Sequence, residues 1–299
     1  MGLAIEVKGL YKRYGSHEVL KGMDLSVAEG GVFALLGPNG AGKTTFIHIL
    51  AGLLRADRGI VRVAGYDVTM EKLRVKMSIS LTGQFAAVDD MLTGTENLRM
   101  LGRLNGLSAA QAAARATELI SQFDLEAAGG KRVGTYSGGM RRRLDLASSL
   151  IVPRPIVFLD EPTTGLDTRS RRSLWDSIQA LASQGITVIL TTQYLEEADQ
   201  LADRIAVIHE GRIVASGTPA ELKARIGEEV IELLNEEGEV SHTLTTDGTI
   251  TSIQDQLLML AQQAPPNARV RLRSPSMDDV FLALTESADS NSNKEAKRA

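Results

Sequence analysis

A chain of 299 residues has room for one large domain plus a small one, or for two modest domains, and 43% hydrophobic residues supply a proper core. A net charge of −4 argues against a general nucleic-acid surface, and the lack of cysteine excludes disulfides, zinc–thiolate sites and thiol catalysis. The four histidines (His17, His48, His209, His242) are not paired at metal-ligand spacing, and no apolar run approaches the roughly 18–20 residues that cross a bilayer. The N-terminus shows no charged-then-apolar leader, and its Met-Gly start lacks Ser or Thr at position six, so neither secretion nor myristoylation is expected. Taken alone, the chain reads as soluble and intracellular.

Leu3 to Lys8 alternates apolar and polar residues as a half-buried strand does. A turn over Tyr11 to Ser16 and a second strand around Glu18 to Val27 are expected next. Glu29-Gly30-Gly31 then turns into a short buried strand, Val32 to Leu36. Gly37-Pro38-Asn39-Gly40-Ala41-Gly42-Lys43-Thr44-Thr45 follows, and behind it apolar residues recur at helical spacing to Leu54. Strand, glycine-rich loop, helix is the context of a phosphate-binding loop. The glycines let backbone N–H groups turn inward on an anion, and the helix start adds unpaired N–H groups and a positive dipole end. Lys43 reaches β- and γ-phosphates, and the Thr44 hydroxyl can ligate Mg²⁺. The motif therefore calls for a nucleotide and Mg²⁺. Arg58 to Gly65 reads as one more strand ended by a turn.

From Met91 to Leu125 the pattern is helical, with a capping-box start at Ser108-Ala109-Ala110-Gln111 and a break at Gly129 to Arg132. A further helix runs from Ser137 to about Ile151, stopped by Pro153 and Pro155. Its start, Ser137-Gly138-Gly139, combines a hydroxyl N-cap with two glycines and is a second anion site by the same physics. Ile156 to Asp160 is a second buried strand. A carboxylate at its carboxyl edge, beside a phosphate loop, suits Asp160 to Mg²⁺, and Glu161 can polarise an attacking water. A helix over Arg169 to Ser183, a buried strand over Ile186 to Thr191, a helix over Tyr194 to Ala202 and a hairpin about Glu210-Gly211 complete an α/β fold with a mostly parallel sheet. The texture changes near Ile226-Gly227. Residues 1–226 are expected as one domain with a helical subdomain at about 90–153, 227–286 as a small α+β domain, and 287–299 as a disordered polar tail.

Gly37 to Thr45, Ser137-Gly138-Gly139, Ile156 to Pro162 and Gly165-Leu166-Asp167, in this order, resemble the ATP-binding cassette ATPases, the motor subunits of ABC transporters. The resemblance covers roughly residues 3–225. It implies ATP as the nucleotide, and a P-loop NTPase fold with a RecA-like parallel core, an N-terminal antiparallel layer and a helical subdomain. It also implies a head-to-tail homodimer in which the signature loop of one subunit closes on the γ-phosphate held by the other, so that Ser137, Gly138 and Gly139 act across the dimer. Tyr14 matches the aromatic that stacks on adenine. Gln84 matches the glutamine that touches Mg²⁺ and water and senses the membrane partner, and Asp167 matches the residue that communicates across the dimer. Tyr136 and Met140 depart from the usual Leu and Gln. Gln193 stands where the family places a histidine on the γ-phosphate. Its amide can donate a hydrogen bond but carries no charge, so a working but slow ATPase is expected, with Glu161 and Gln193 as its catalytic pair.

The runs Thr82 to Asp89, Tyr136 to Asp145, Thr192 to Asp199 and Ser276 to Leu284 together resemble the daunorubicin-resistance type of ATP-binding subunit. That type implies efflux of a drug-like, lipid or polyketide substrate through a separate integral-membrane permease, with this chain peripheral on the cytoplasmic face of the cell membrane. Phe85, Val88, Met91 and Leu92 either line a groove for a permease helix or pack a helical subdomain. The arginines 141–143, 169, 171 and 172 read as helix surface or cross-dimer contacts, with no nucleic acid. The C-terminal domain either stabilises the dimer or regulates it. A soluble cassette ATPase, or a slow-hydrolysing regulatory module not coupled to transport, is the alternative.

Overall fold

The computed structural model describes residues 2–83, 88–227, 229–235, 237, 239–263 and 268–285. β1 (Leu3–Tyr14) pairs antiparallel with β2 (His17–Ala28), and both are twelve residues long. The expected turn at Tyr11 is strand instead. Tyr11 pairs with Arg58 of β4 (Arg58–Val63), and Asp57 accepts from the Arg13 N–H at 2.7 Å and the Lys12 ammonium at 2.9 Å. These partners lie 44 and 45 residues away and carry the ladder on to Tyr14, so the chain turns only at Gly15, whose φ of 60° is left-handed. With β5 (Tyr66–Asp67) the strands form a sheet of order β2-β1-β4-β5.

The second sheet has the order β10-β9-β3-β8-β7-β6. Its centre, β3 (Val32–Leu36), β7 (Ile156–Asp160) and β8 (Thr187–Thr192), is buried at every position, as parallel strands covered on both faces must be. β8 lies parallel between β3 and β7. β6 (Ile79–Thr82) pairs parallel with β7, and β9 (Arg204–His209) pairs parallel with β3. β10 (Arg212–Gly217) completes the sheet. α1 (Lys43–Leu50) lies between the two sheets, and Phe46, Ile47, Ile49 and Leu50 join Ile5, Val7, Leu10, Phe158 and Ile189 in one core. Each such side chain contributes about 1.5–3 kcal/mol by leaving water. That burial fixes the helix whose first turn carries the glycine-rich loop.

α2 (Lys72–Ser78) and β6 are seven and four residues long, too short for a periodic signal in the sequence. α3 (Gly94–Leu104) and α4 (Ala109–Gln122) both begin with full capping boxes, Thr93 with Glu96 and Ser108 with Gln111. α5 (Gly138–Ser149) is N-capped by Ser137, and α6 (Thr168–Ser183) by Asp167. α7 (Leu195–Leu201) follows β8.

The chain divides into two compact units, Met1–Ser216 and Gly217–Ala299. The second unit carries α8 (Pro219–Ala224) and a sheet of order β12-β11-β13, from β11 (Glu229–Leu234), β12 (Val240–Thr246) and β13 (Arg269–Arg273). α9 (Ile250–Gln263) packs Leu260 on Ile231 and Leu233, and α10 spans 277–285. Glu232 is buried there beside Arg271, whose Nε donates to it at 2.7 Å.

Candidate functional site

Gly37 continues β3 directly into the loop, and its N–H donates to the Thr192 carbonyl at 3.1 Å. A Cβ on Gly37 would stand 2.4 Å from the Ile208 carbonyl oxygen. Gly42 has a φ of 105°, and a Cβ there would meet Leu20 at 2.7 Å. Glycine is thus required at both ends of the turn by close approach, and at Gly42 by its left-handed backbone as well. The first bond of α1 runs from the Phe46 N–H to the Gly42 carbonyl, so the N–H groups of Lys43, Thr44 and Thr45 lie ahead of it. Together they form an open cavity of about 380 Å³ lined by Asn39, Gly40, Gly42, Lys43, Thr44 and Thr45, with His17, Val19 and Glu161. Pro38 contributes its carbonyl to the Ala41 N–H, and Ala41 is buried beneath the loop.

The Lys43 side chain is 4% exposed, and its ammonium donates to the Gly37 and Pro38 carbonyls at 2.9 and 3.1 Å. Glu161 completes its surroundings, with Oε1 at 3.1 Å. Among the described residues Glu161 is one of four non-glycine residues with positive φ, at 48°. Such a backbone costs on the order of 1–3 kcal/mol and persists only where its neighbours fix it. Its N–H donates to both the carbonyl and the hydroxyl of Thr191, each at 3.1 Å. The same hydroxyl donates to Asp160 Oδ1 at 2.5 Å. Thr191 therefore ties the Asp160 carboxylate to the Glu161 backbone, which the sequence did not indicate. Among the described residues no three His, Cys, Asp or Glu side chains gather for a metal. Mg²⁺ needs only one or two carboxylate or hydroxyl ligands beside phosphates and water, and the buried Asp160 and the Thr44 hydroxyl suit that role.

Ser137 accepts the Met140 N–H at 3.2 Å, as an N-cap should. None of Ser137, Gly138 and Gly139 lines the cavity of Lys43. The two glycines differ in their reasons. Gly138 has room for a side chain, whereas a Cβ on Gly139 would come within 2.3 Å of Ser170 Oγ. Gly139 thus fits α5 against α6. Ser170 also donates from its N–H and hydroxyl to Asp167, at 2.8 and 3.0 Å, and those bonds lower the Asp167 pKa from its usual range. Tyr14 is half exposed opposite His17, which lines the cavity, and the Lys12 ammonium lies 5.5 Å from its ring centre. Gln193 follows β8 directly and is half-buried. Gln84 and Phe85 lie outside the described residues. Of the arginines that invited a nucleic-acid reading, Arg169 and Arg172 are exposed, whereas several others are engaged within the chain. Arg141 pairs with Asp90, Arg143 donates to Ser173 at 2.9 Å, and Arg171 lies over the Tyr194 ring at 5.1 Å.

On α7, Glu197 is fully buried, with Trp175 donating to its Oε1 at 3.2 Å. Burial raises its pKa above 4.5, so the folded chain holds a proton that the unfolded chain has already lost. Its contribution is present below about 4.5 and is lost as pH rises through the raised folded value. Glu197→Gln keeps an acceptor for Trp175 and removes the ionisation. Its thermal midpoint should gain on wild type as pH climbs from about 4.5 towards 8. Melting curves that stay parallel across that range would contradict the assignment.

Residues 20–164 match the ABC transporter family. The chain is 48% identical to the daunorubicin resistance ATP-binding protein DrrA2 of Streptomyces coeruleorubidus, over 100% of this chain and 99% of that protein. It is 46% identical to the doxorubicin resistance ATP-binding protein DrrA of Mycobacterium tuberculosis, over 95% of this chain and 94% of that one. A solved ATP-binding subunit of an ABC transporter superposes with a TM-score of 0.66 at 28% identity, covering 74% of this chain and 92% of that one. The glycine-rich loop, the second capped helix start and this likeness over the full length agree. The chain belongs to the ABC transporter family as an ATPase subunit of the daunorubicin/doxorubicin-resistance type.

Proposed function

We propose that two copies of this chain enclose two ATP molecules head to tail. Each pocket takes Gly37, Pro38, Asn39, Gly40, Ala41, Gly42, Lys43, Thr44 and Thr45, with Asp160 and Glu161, from one copy and Ser137, Gly138 and Gly139 from the other. The observation that carries this reading is that one chain owns two helix starts built for anions, of which only one lines the cavity of Lys43. Tyr14 stacks on adenine, Gln84 reports to the membrane partner, and Asp167 links the two pockets. Thr44, Asp160 and Gln84 would hold Mg²⁺, which would offset phosphate charge when bound. Lys43 then serves both Glu161 and the terminal phosphate, and the Glu161 carboxylate orients the attacking water and takes up its proton.

Gln193 supplies a neutral donor where a charged one would contribute about 1 kcal/mol or more beyond it. Gln193→Ala should lower kcat by up to about tenfold with little change in KM for ATP. An unchanged turnover would leave the amide without a task.

No helix among the described residues is long and apolar enough to cross a membrane. Work on a cargo therefore passes to a separately encoded permease, with this chain at the cytoplasmic face of the cell membrane. The names of the relatives point to a drug-like cargo, within a wider class that includes lipids and polyketides. Affinity purification of the full chain from detergent-solubilised membranes is expected to bring down a polytopic membrane protein and ATPase activity together. An active chain recovered only with ribosomes, or alone, would favour the soluble-ATPase alternative.

A further inference from the structure

Arg142 has no part in the reaction described above, yet its guanidinium reaches the backbone on both sides of Glu161 and at the end of β6. It stands on α5, with its side chain 11% exposed. Its Nε donates to the Pro162 carbonyl at 2.8 Å, and one terminal nitrogen donates to the Gly83 carbonyl at 2.7 Å and to Asp145 at 3.1 Å. The other terminal nitrogen makes a longer contact, 3.4 Å, with the Asp160 carbonyl. Asp160 and Pro162 flank Glu161, the residue with a φ of 48°. One planar fork therefore grips the backbone on both sides of a strained residue, while Asp145 balances its buried charge. Through Gly83 the same fork holds the end of β6, next to Gln84.

We propose that Arg142 is a positioning residue that holds the Glu161 turn from α5, so that the placement of the helix begun by Ser137 sets the aim of the Glu161 carboxylate. The proposal rests on the reading of Glu161 as the residue that polarises water. A lysine cannot replace the guanidinium, because an ammonium is a point charge without the rigid fork that spans separate carbonyls. A shift of α5 moves Arg142 and, with it, the peptides on either side of Glu161. Signature helix and hydrolytic carboxylate are thus joined inside one subunit.

The test compares the full chain with R142K, R142Q, D145N and E161Q by steady-state ATP hydrolysis and thermal melting. R142Q and R142K should each lower kcat about 10- to 100-fold, as expected for a carboxylate misplaced by around 1 Å, with KM for ATP within about twofold of wild type. R142K should not rescue, and D145N, which keeps the fork but loosens its anchor, should show a smaller fall in kcat alone. Wild-type kcat in R142Q, full rescue by R142K, or a loss of kcat and KM that tracks a lowered melting point would overturn the proposal. If R142Q is not recovered folded, R142K and D145N decide the matter by the same criteria. An E161Q protein that hydrolyses like wild type removes the reading of Glu161 and this proposal with it. An inactive E161Q beside a fully active R142Q overturns the Arg142 proposal alone.

Discussion

Glu161→Gln is expected to lower ATP turnover by roughly 10²–10⁴-fold while nucleotide binding persists. The amide keeps the shape of the side chain but cannot take the proton of an attacking water. Folding should survive, because the ammonium of Lys43 retains the Gly37 and Pro38 carbonyls when the carboxylate is gone. The buried cation is therefore not left without partners, which is the usual cause of a large loss on breaking such a pair. Phosphate release, nucleotide affinity and melting temperature on one preparation separate these effects. Turnover equal to wild type would remove Glu161 from the mechanism.

Ser137→Asp is expected to abolish hydrolysis without unfolding the chain. Aspartate caps a helix as well as serine does, so the Met140 N–H keeps its acceptor and the start of α5 is preserved. The new charge, however, would face a phosphate held by the partner copy. Two unit charges about 4 Å apart repel by about 4 kcal/mol at an effective dielectric constant near 20, enough to cost more than two orders of magnitude in closure. An unchanged melting point with lost activity is the expected pair of results. Full activity would mean that this helix start meets no phosphate.

The glycine-rich loop and its flanking strand and helix were legible because their chemistry is local. Close approach and left-handed backbone demand glycine at fixed positions, and burial demands an unbroken apolar run in Val32 to Leu36 and Ile156 to Leu159. Ser137 was legible as a helix start for the same reason, whereas the N-cap role of Asp167 emerges only in the structure. The extension of β1 to Tyr14 was not, because Asp57 and β4 decide it from far along the chain. Arg142 reads in the sequence as helix surface or a cross-dimer contact, and its inward-facing bonds were equally hidden. Its partners are backbone carbonyls 18, 20 and 59 residues away, and a carbonyl carries no residue identity to read. Thr191 joins Asp160 from 31 residues off and looks like any other strand threonine until the sheet is assembled. The role of Gly139 also changed in kind. The sequence marks it as open backbone for an anion, whereas Ser170 sets its size limit.

The account depends above all on each pocket being completed by a second copy, and mixing two inactive variants tests this most directly. S137D and E161Q should each be inactive alone. In a mixed dimer one pocket carries both defects, and the other joins an intact Glu161 to an intact Ser137. Random pairing makes half the dimers mixed, each with one intact pocket and one repulsive Asp–phosphate pair instead of two, so activity should rise above that of either variant alone, to at most about a quarter of wild type. A mixture that stays as inactive as its parts, while wild type mixed with either variant forms dimers normally, would contradict the shared pocket.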